Sequence, residues 1–291
     1  MGISQYIKEI GRGPRGSKPL TREQAADLFG QLLDGNVTDL EIGAFCLAMR
    51  IKGETPEEMC GFLDAAHSRM ALFPASDRPV IVLPSYNGAR KLPVLTPLLA
   101  LLLAREGLPV LLHGMRTEAR RTLASDVLLA LGVPALTAPE KIATGSVAHI
   151  ETGYLHAALA RLLKVREVVG LRNAGHSIVK LMNPCAGPAV VVTSYTHPEY
   201  YDMLQATFGA LHMTALLSRG LEGEVATDPR RTPRYDAFVA GVHQLLQEQQ
   251  PGTAADVPGL PTEIDIDTTA RYTQDVLDGR LPVPPALAQQ V

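Results

Sequence analysis

The sequence predicts an α/β fold: a small all-helical domain, then a larger α/β domain with a mainly parallel sheet covered by helices on both faces. Three observations carry this. Three capping boxes follow one another within the first 72 residues. After Pro74 short apolar runs alternate with stretches of helical periodicity, the pattern of a parallel sheet. A chain of 291 residues with 46% hydrophobic and 20% charged content can bury the core such a fold needs. The expected division is 1–75 for the helical domain, with the helical stretch near 150–182 packing on it, and 76–291 for the α/β domain.

Taken in order, residues 1–19 hold Lys8, Arg12, Arg15 and Lys18, spaced by glycines and Pro14, and read as a flexible basic arm or a loop over the body. Thr21 with Gln24 opens the first helix, Thr38 with Glu41 the second, and Thr55 with Glu58 the third, where Pro56 takes the first helical position. Gly35 and Gly53 end the first two helices. Val80–Leu83 is a strand, PSYNGARK (84–91) a loop and 94–106 a very apolar helix. Leu108–Leu112 is the next strand. A helix follows, carrying Leu123, Val127, Leu128 and Leu131 on one face and stopped by Gly132 and Pro134. A helical stretch at 154–166 and a polar segment, LRNAGHSIVKLMNP (171–184), come next. Then follow a strand at Ala189–Thr193, a helix at His197–Phe208 and a strand at Met213–Leu217. A basic loop holds Arg219, Arg230, Arg231 and Arg234; 235–248 reads as helical, 250–264 as a linker or surface excursion, and 268–278 as the last helix before a Pro-rich tail.

Composition excludes several classes. Net charge is −3, so nucleic acid would have to be bound by a local patch rather than by overall attraction. Cys46, Cys60 and Cys185 lack metal-ligand spacing and read as small core residues in a reducing compartment. No apolar signal core opens the chain, and LLALLLA (98–104) is too short to span a bilayer, so a cytoplasmic protein without membrane contact is expected. His149, His156, His197 and His212 fall in different segments with no metal spacing, and no nucleophile–base pair is visible.

The segment HGMRTEARRTLASDVLLALG (113–132) carries the chemistry. A helix N-terminus presents free N–H groups and partial positive charge. Arg116, Arg120 and Arg121 sit in or just before the first turns, where the helix dipole disfavours cations and an anion would reverse the sign. Arg120, three residues before Leu123 and seven before Val127, is expected on the buried side. The alternative is a solvated face salt-bridged to Glu118. In parallel sheets ligands sit beyond the carboxyl ends of the strands, which places 84–91, 113–121 and 218–224 around one cleft.

Several of these stretches, in this order, resemble the anthranilate phosphoribosyltransferase family and the related pyrimidine nucleoside phosphorylases. LTREQAADLFGQLLDGNVTDLEIGAFCLAMRIKGETPEEMCGF is similar to the family's helical domain, and HGMR, SDVLLALG, LRNAGHSIVKLMNP and SRGLEGEV fall where the family has functional loops. Against that likeness stand departures. PSYNGARK replaces a glycine-rich GTGGDG diphosphate loop, and Pro84, Ser85, Tyr86 and Asn87 do not offer the same nest. His113, Gly114, Arg116 and Asp126 match the family's HGNR…SS…GSAD loop; Met115, Ala119, Arg120 and Leu123 depart from it. GLEGE separates Glu222 from Glu224 where the family has an adjacent Asp–Glu magnesium pair, so these two are weak metal candidates. Arg172 matches the family's aromatic-acid arginine, while His176, Val179 and Lys180 replace its Asn and its Gly-Pro.

The loss of neutral phosphate ligands and the gain of cations resemble the YbiB-type subgroup. That resemblance implies the shared fold, no transferase activity, DNA binding without sequence preference, and a homodimer through the helical domain. The phosphate contacts it suggests are Arg90, Lys91, Arg116, Arg120, Arg121, Arg172, Lys180 and Arg219, with Lys8, Arg12, Arg15, Lys18, Arg230 and Arg231 able to add to them. Ser85, Asn87, Gly88, His113 and Gly114 form the cleft loops. Tyr86 stacks on a base or packs in its loop. DNA or RNA is the expected partner, with no catalytic residue and no cofactor. The alternative is a phosphoribosyltransferase or nucleoside phosphorylase that uses phosphoribosyl diphosphate, with Mg²⁺ on Glu222 and Glu224. A third reading keeps the scaffold for a small acidic metabolite.

Overall fold

The computed structural model describes residues 2–13, 15–254 and 256–291; Met1, Pro14 of the basic arm and Ala255 of the 250–264 segment lie outside it. Helices α1 (Ser4–Ile10), α2 (Arg22–Asp34), α3 (Asp39–Lys52) and α4 (Pro56–His67) come first. Thr21, Thr38 and Thr55 each accept from the backbone N–H three residues on, and Gln24, Glu41 and Glu58 each return a bond to the cap's own N–H. Gly35, at φ +75°, closes α2 in the left-handed conformation that glycine adopts without strain. The rings of Phe29, Phe45 and Phe62 cluster at the centre of this bundle.

The second part alternates strands and helices: β1 (Val80–Pro84), α5 (Thr96–Arg105), β2 (Val110–Gly114), α6 (Ala124–Ala130), β3 (Ala135–Leu136), β4 (Val147–Glu151), α7 (Thr152–Leu155), α8 (Ala157–Val169), α9 (Gly175–Leu181), β5 (Ala189–Tyr195), α10 (Glu199–Ala210) and β6 (Ala215–Arg219). β7 (Tyr235–Val239), β8 (Val242–Gln247), α11 (Ile266–Leu277) and α12 (Pro285–Gln290) complete the chain. The eight strands form one sheet in the order β3-β4-β2-β1-β5-β6-β7-β8. Every pair from β3 to β6 is parallel; β7 and β8 join antiparallel. The continuous apolar runs of β1 and β2 reflect burial on both faces. α8 contacts α2, and α9 and α10 contact α4, which ties the α/β part to the bundle.

Four expectations are corrected. Residues 235–248 are not helical but a hairpin, β7–β8: Ala240 and Gly241, at φ +48° and +81°, make the two-residue turn whose twist suits antiparallel strands. The basic arm contains α1, whose last residue Ile10, with Ile3 just before the helix, is buried in the bundle core. Strands β3 and β4 extend the sheet beyond β2, between Gly132 and the helical stretch at 154–166, where the sequence suggests no strand. The helix after the arginines starts only at Ala124, so Arg116, Arg120 and Arg121 belong to a loop and not to helical turns.

Candidate functional site

Parallel register brings the strand ends together. Pro84 lies beside His113, and Ser194 beside Ser218, so the loops after β1, β2, β5 and β6 leave the sheet on one side. The loop after β1 is buried from Ser85 to Ala89. It runs so close to β2 that a Cβ on Gly114 would lie 1.7 Å from the Ser85 carbonyl oxygen, and only glycine fits there. Gly88 has φ +68°, and a Cβ on it would meet the Thr122 carbonyl oxygen at 2.6 Å. The 115–123 loop fastens to this segment: Ala89 N–H donates to Thr122 O at 2.8 Å, Thr117 Oγ1 to Tyr86 O at 3.2 Å and Arg121 Nη1 to Gly88 O at 3.4 Å.

The GLEGE turn closes from the other side. Glu222 adopts φ +56° and Gly223 φ +88°, two left-handed residues in succession, and these turn the neighbouring carboxylates towards the β1 loop. Glu224, 4% exposed, accepts from the N–H groups of Asn87 (3.0 Å) and Gly88 (2.8 Å) on Oε1, and from the hydroxyls of Ser85 (2.5 Å) and Thr96 (3.0 Å) on Oε2. Glu222 Oε2 accepts from the N–H groups of Arg90 (2.8 Å) and Lys91 (3.0 Å), and its Oε1 lies 3.5 Å from the Arg90 guanidinium. The three loops therefore interlock instead of lining one open cleft. N–H and O–H donors occupy both oxygens of Glu224 and Oε2 of Glu222; Glu222 Oε1 has no hydrogen bond among the described residues, but the Arg90 guanidinium faces it, and a cation there repels a second one. The pair does not fit magnesium. Among the described residues no three His, Cys, Asp or Glu side chains gather into a metal-holding group.

The open space lies next door, between the end of α3, α9, the end of β5 and α10. This cavity of about 410 Å³ is lined by Tyr86, Arg172, His176, Lys180, Ser194 and Tyr200, among others. Arg172 donates to the Asn87 side-chain oxygen, and Lys180 Nζ to the Ser194 carbonyl oxygen at 2.5 Å. Burial, with the Arg172 charge second, brings the Lys180 ammonium down to about 8. The same two causes push His176 down to about 3, and burial alone does so for His113. Both rings are thus neutral at ordinary pH. His113 is fully buried with both ring nitrogens unpartnered among the described residues, and His176 Nε2, Thr193 Oγ1 and Ser194 Oγ are likewise unpartnered. Tyr86 is 3% exposed and edge-on to the His176 ring, so it packs in its loop.

The eight expected phosphate contacts divide. Arg116 pairs with Asp126, Arg121 with Glu118 at 3.0 Å, and Arg90 more loosely with Glu222. For Arg121 the salt-bridged reading through Glu118 is the one the structure takes, with Arg166 sharing the carboxylate at 3.0 Å. Lys91, Arg120, Arg172, Lys180 and Arg219 have no ion pair among the described residues; Arg172 and Lys180 face the cavity, and the other three are exposed. Arg120 is thus exposed and not on a buried side, because a loop and not a helix carries it. Arg219 borders a separate hollow of about 260 Å³ with Arg231, whose partner Asp228 it shares with Arg230. Of the arm cations Arg12 pairs with Glu9. Arg50, Glu54, Tyr195 and His197 also line the large cavity. Sequence reasoning missed them, because a helix end and a strand end far apart in the chain supply them.

Residues 4–70 match the family described as glycosyl transferase family, helical bundle domain. The chain is 37% identical to the uncharacterized protein YbiB of Escherichia coli (strain K12) over 298 residues, spanning 100% of this chain and 92% of that protein. It is 28% identical to the anthranilate phosphoribosyltransferase of Persephonella marina over 295 residues, 96% of this chain and 83% of the relative. The crystal structure of anthranilate phosphoribosyltransferase from Thermus thermophilus superposes with a TM-score of 0.74 at 22% identity, covering 98% of this chain and 84% of that one. The Saccharomyces cerevisiae enzyme in complex with PRPP and Mg gives 0.66 at 14%, covering 98% and 83%. Helical bundle, mainly parallel sheet and whole-chain kinship agree: the chain belongs to the anthranilate phosphoribosyltransferase-like family.

Proposed function

We propose that this protein binds nucleic acid without sequence preference, through cationic side chains on a phosphoribosyltransferase-like scaffold that has given up its diphosphate and magnesium motifs. The observation that carries the reading is the unequal fate of charge at the strand ends. The two acidic side chains of GLEGE are engaged by loop donors, while Lys91, Arg120, Arg172, Lys180 and Arg219 keep charge without an acidic partner among the described residues. Fixed cations spread over a rim and a cavity suit a repeated anion such as a phosphate backbone. A gel-shift panel of duplex DNA, single-stranded DNA and RNA at two salt concentrations tests it. Binding that weakens steeply with salt supports the reading; no binding at low salt contradicts it.

The second reading, a phosphoribosyltransferase using phosphoribosyl diphosphate and Mg²⁺, is favoured by the kinship with enzymes of that name. Calorimetry with both ligands separates the two: saturable heat favours the enzyme, silence the binding protein. Two further points complete the proposal. Leu40, Leu47 and Ile51 lie exposed along one side of α3, which supports a homodimer through the helical domain. The three cysteines are free and buried, which supports a cytoplasmic location. Among the described residues no helix is long and apolar enough to cross a membrane.

A further inference from the structure

We propose that Glu224 is a built-in anion: its carboxylate takes the place of an external phosphate in the nest at the end of β1, so that this nest binds no free phosphate or diphosphate. The inference stands whether or not nucleic acid binds elsewhere. Consecutive N–H groups of Asn87 and Gly88 converge on Oε1, and the hydroxyls of Ser85 and Thr96 on Oε2. Such a concavity of backbone N–H groups recognises oxyanions in general. Thr96 is also the first residue of α5, which has no side-chain cap, so the carboxylate sits at a helix N-terminus where negative charge is favoured. A hydrogen-bonded anion is present in this nest already.

Space decides the matter. The hollow beside Gly88, Glu222 and Glu224 holds only about 10 Å³, room for one water molecule at most and far too little for a phosphate. Gly223 is packed so closely that a Cβ would lie 2.1 Å from Asn87 Nδ2, so the turn carrying Glu224 lies directly against the β1 loop. The carboxylate arrives from a segment 136 residues further along the chain than Gly88, so it also latches the β6–β7 turn to the β1 loop. A diphosphate could enter only by displacing both the charge and the latch.

Chemical rescue tests this. Glu224→Ala removes the carboxylate and leaves a small, donor-lined hole. The variant is expected to melt below the wild type. Sodium formate or inorganic phosphate should raise its melting temperature, where sodium chloride at equal ionic strength does not, and should leave the wild type unmoved. By calorimetry the variant should bind inorganic phosphate at least tenfold more tightly than the wild type. Glu224→Gln, which fills the hole without charge, should show no rescue. If Glu224→Ala folds and neither formate nor phosphate affects it, the proposal fails. Should that variant not fold, titration of inorganic diphosphate into wild-type protein decides: silence upholds the proposal, and binding that Ser85→Ala weakens overturns it.

Discussion

Lys180 Nζ donates to the carbonyl oxygen of Ser194 across 2.5 Å, inside a cavity where the Arg172 charge opposes its ammonium and the Glu224 carboxylate offsets part of that effect. Burial first, and Arg172 second, hold its ammonium at about 8 instead of the usual 10.5. The group is charged at pH 7 and mostly neutral at pH 9. If it meets a phosphate, the salt dependence of nucleic-acid binding should flatten by about 0.7–0.9 in log–log slope between those values. Lys180→Met should start at the flatter slope and lose the pH dependence. The folding sign is opposite to that of a stabilising pair. The folded state releases this proton earlier than the unfolded chain, so stability should rise with pH from about 8 to 10.5, and urea titrations at both ends check it.

Arg120 and Arg121 are adjacent but should behave differently. Arg120 is exposed without an ion pair among the described residues, so Arg120→Glu should weaken nucleic-acid binding about 3–10-fold at low salt and leave the melting temperature unchanged. Arg121 pairs with Glu118 and reaches the Gly88 carbonyl oxygen, so Arg121→Glu should lower the melting temperature, because two carboxylates would then share one site. Equal melting curves for the two variants would refute this division.

Glu58 anchors the helical domain. Its fully buried carboxylate accepts from Lys52 Nζ (2.5 Å) and from the N–H groups of Thr55 and Leu20 (both 2.9 Å). Glu58→Ala leaves Lys52 buried with only the Gly53 carbonyl oxygen and no acidic partner, and should cost about 3–5 kcal/mol in urea unfolding. A loss under about 1 kcal/mol, the size typical of an exposed pair, would show that the interaction is not buried in solution.

Leu40, at 86% exposure, shares one side of α3 with Leu47 and Ile51. Leu47→Glu should halve the mass seen by light scattering if this stripe joins two copies. A wild-type monomer at micromolar concentration would remove the basis for the dimer.

What was legible in the sequence was local. The three capping boxes need only four consecutive residues each, and all three form as read. The hairpin at β7–β8 escaped because its apolar residues also fit a helical period, and only the Ala240–Gly241 turn betrays it. The candidate site escaped more fully. That GLEGE lacks an adjacent acidic pair is visible in the sequence; that Glu224 fills the nest of Asn87 and Gly88 depends on a contact across more than a hundred residues. Counting arginines could not separate Arg116, paired with Asp126 ten residues on, from Arg219, which has no such partner among the described residues.

The slope of log affinity for a short DNA duplex against log salt concentration, between about 50 and 200 mM, tests the central claim most directly. Contact of about five phosphates with Lys91, Arg120, Arg172, Lys180 and Arg219 predicts a slope of about −4 to −5. A slope near zero, or no measurable affinity at the lowest salt, would contradict it.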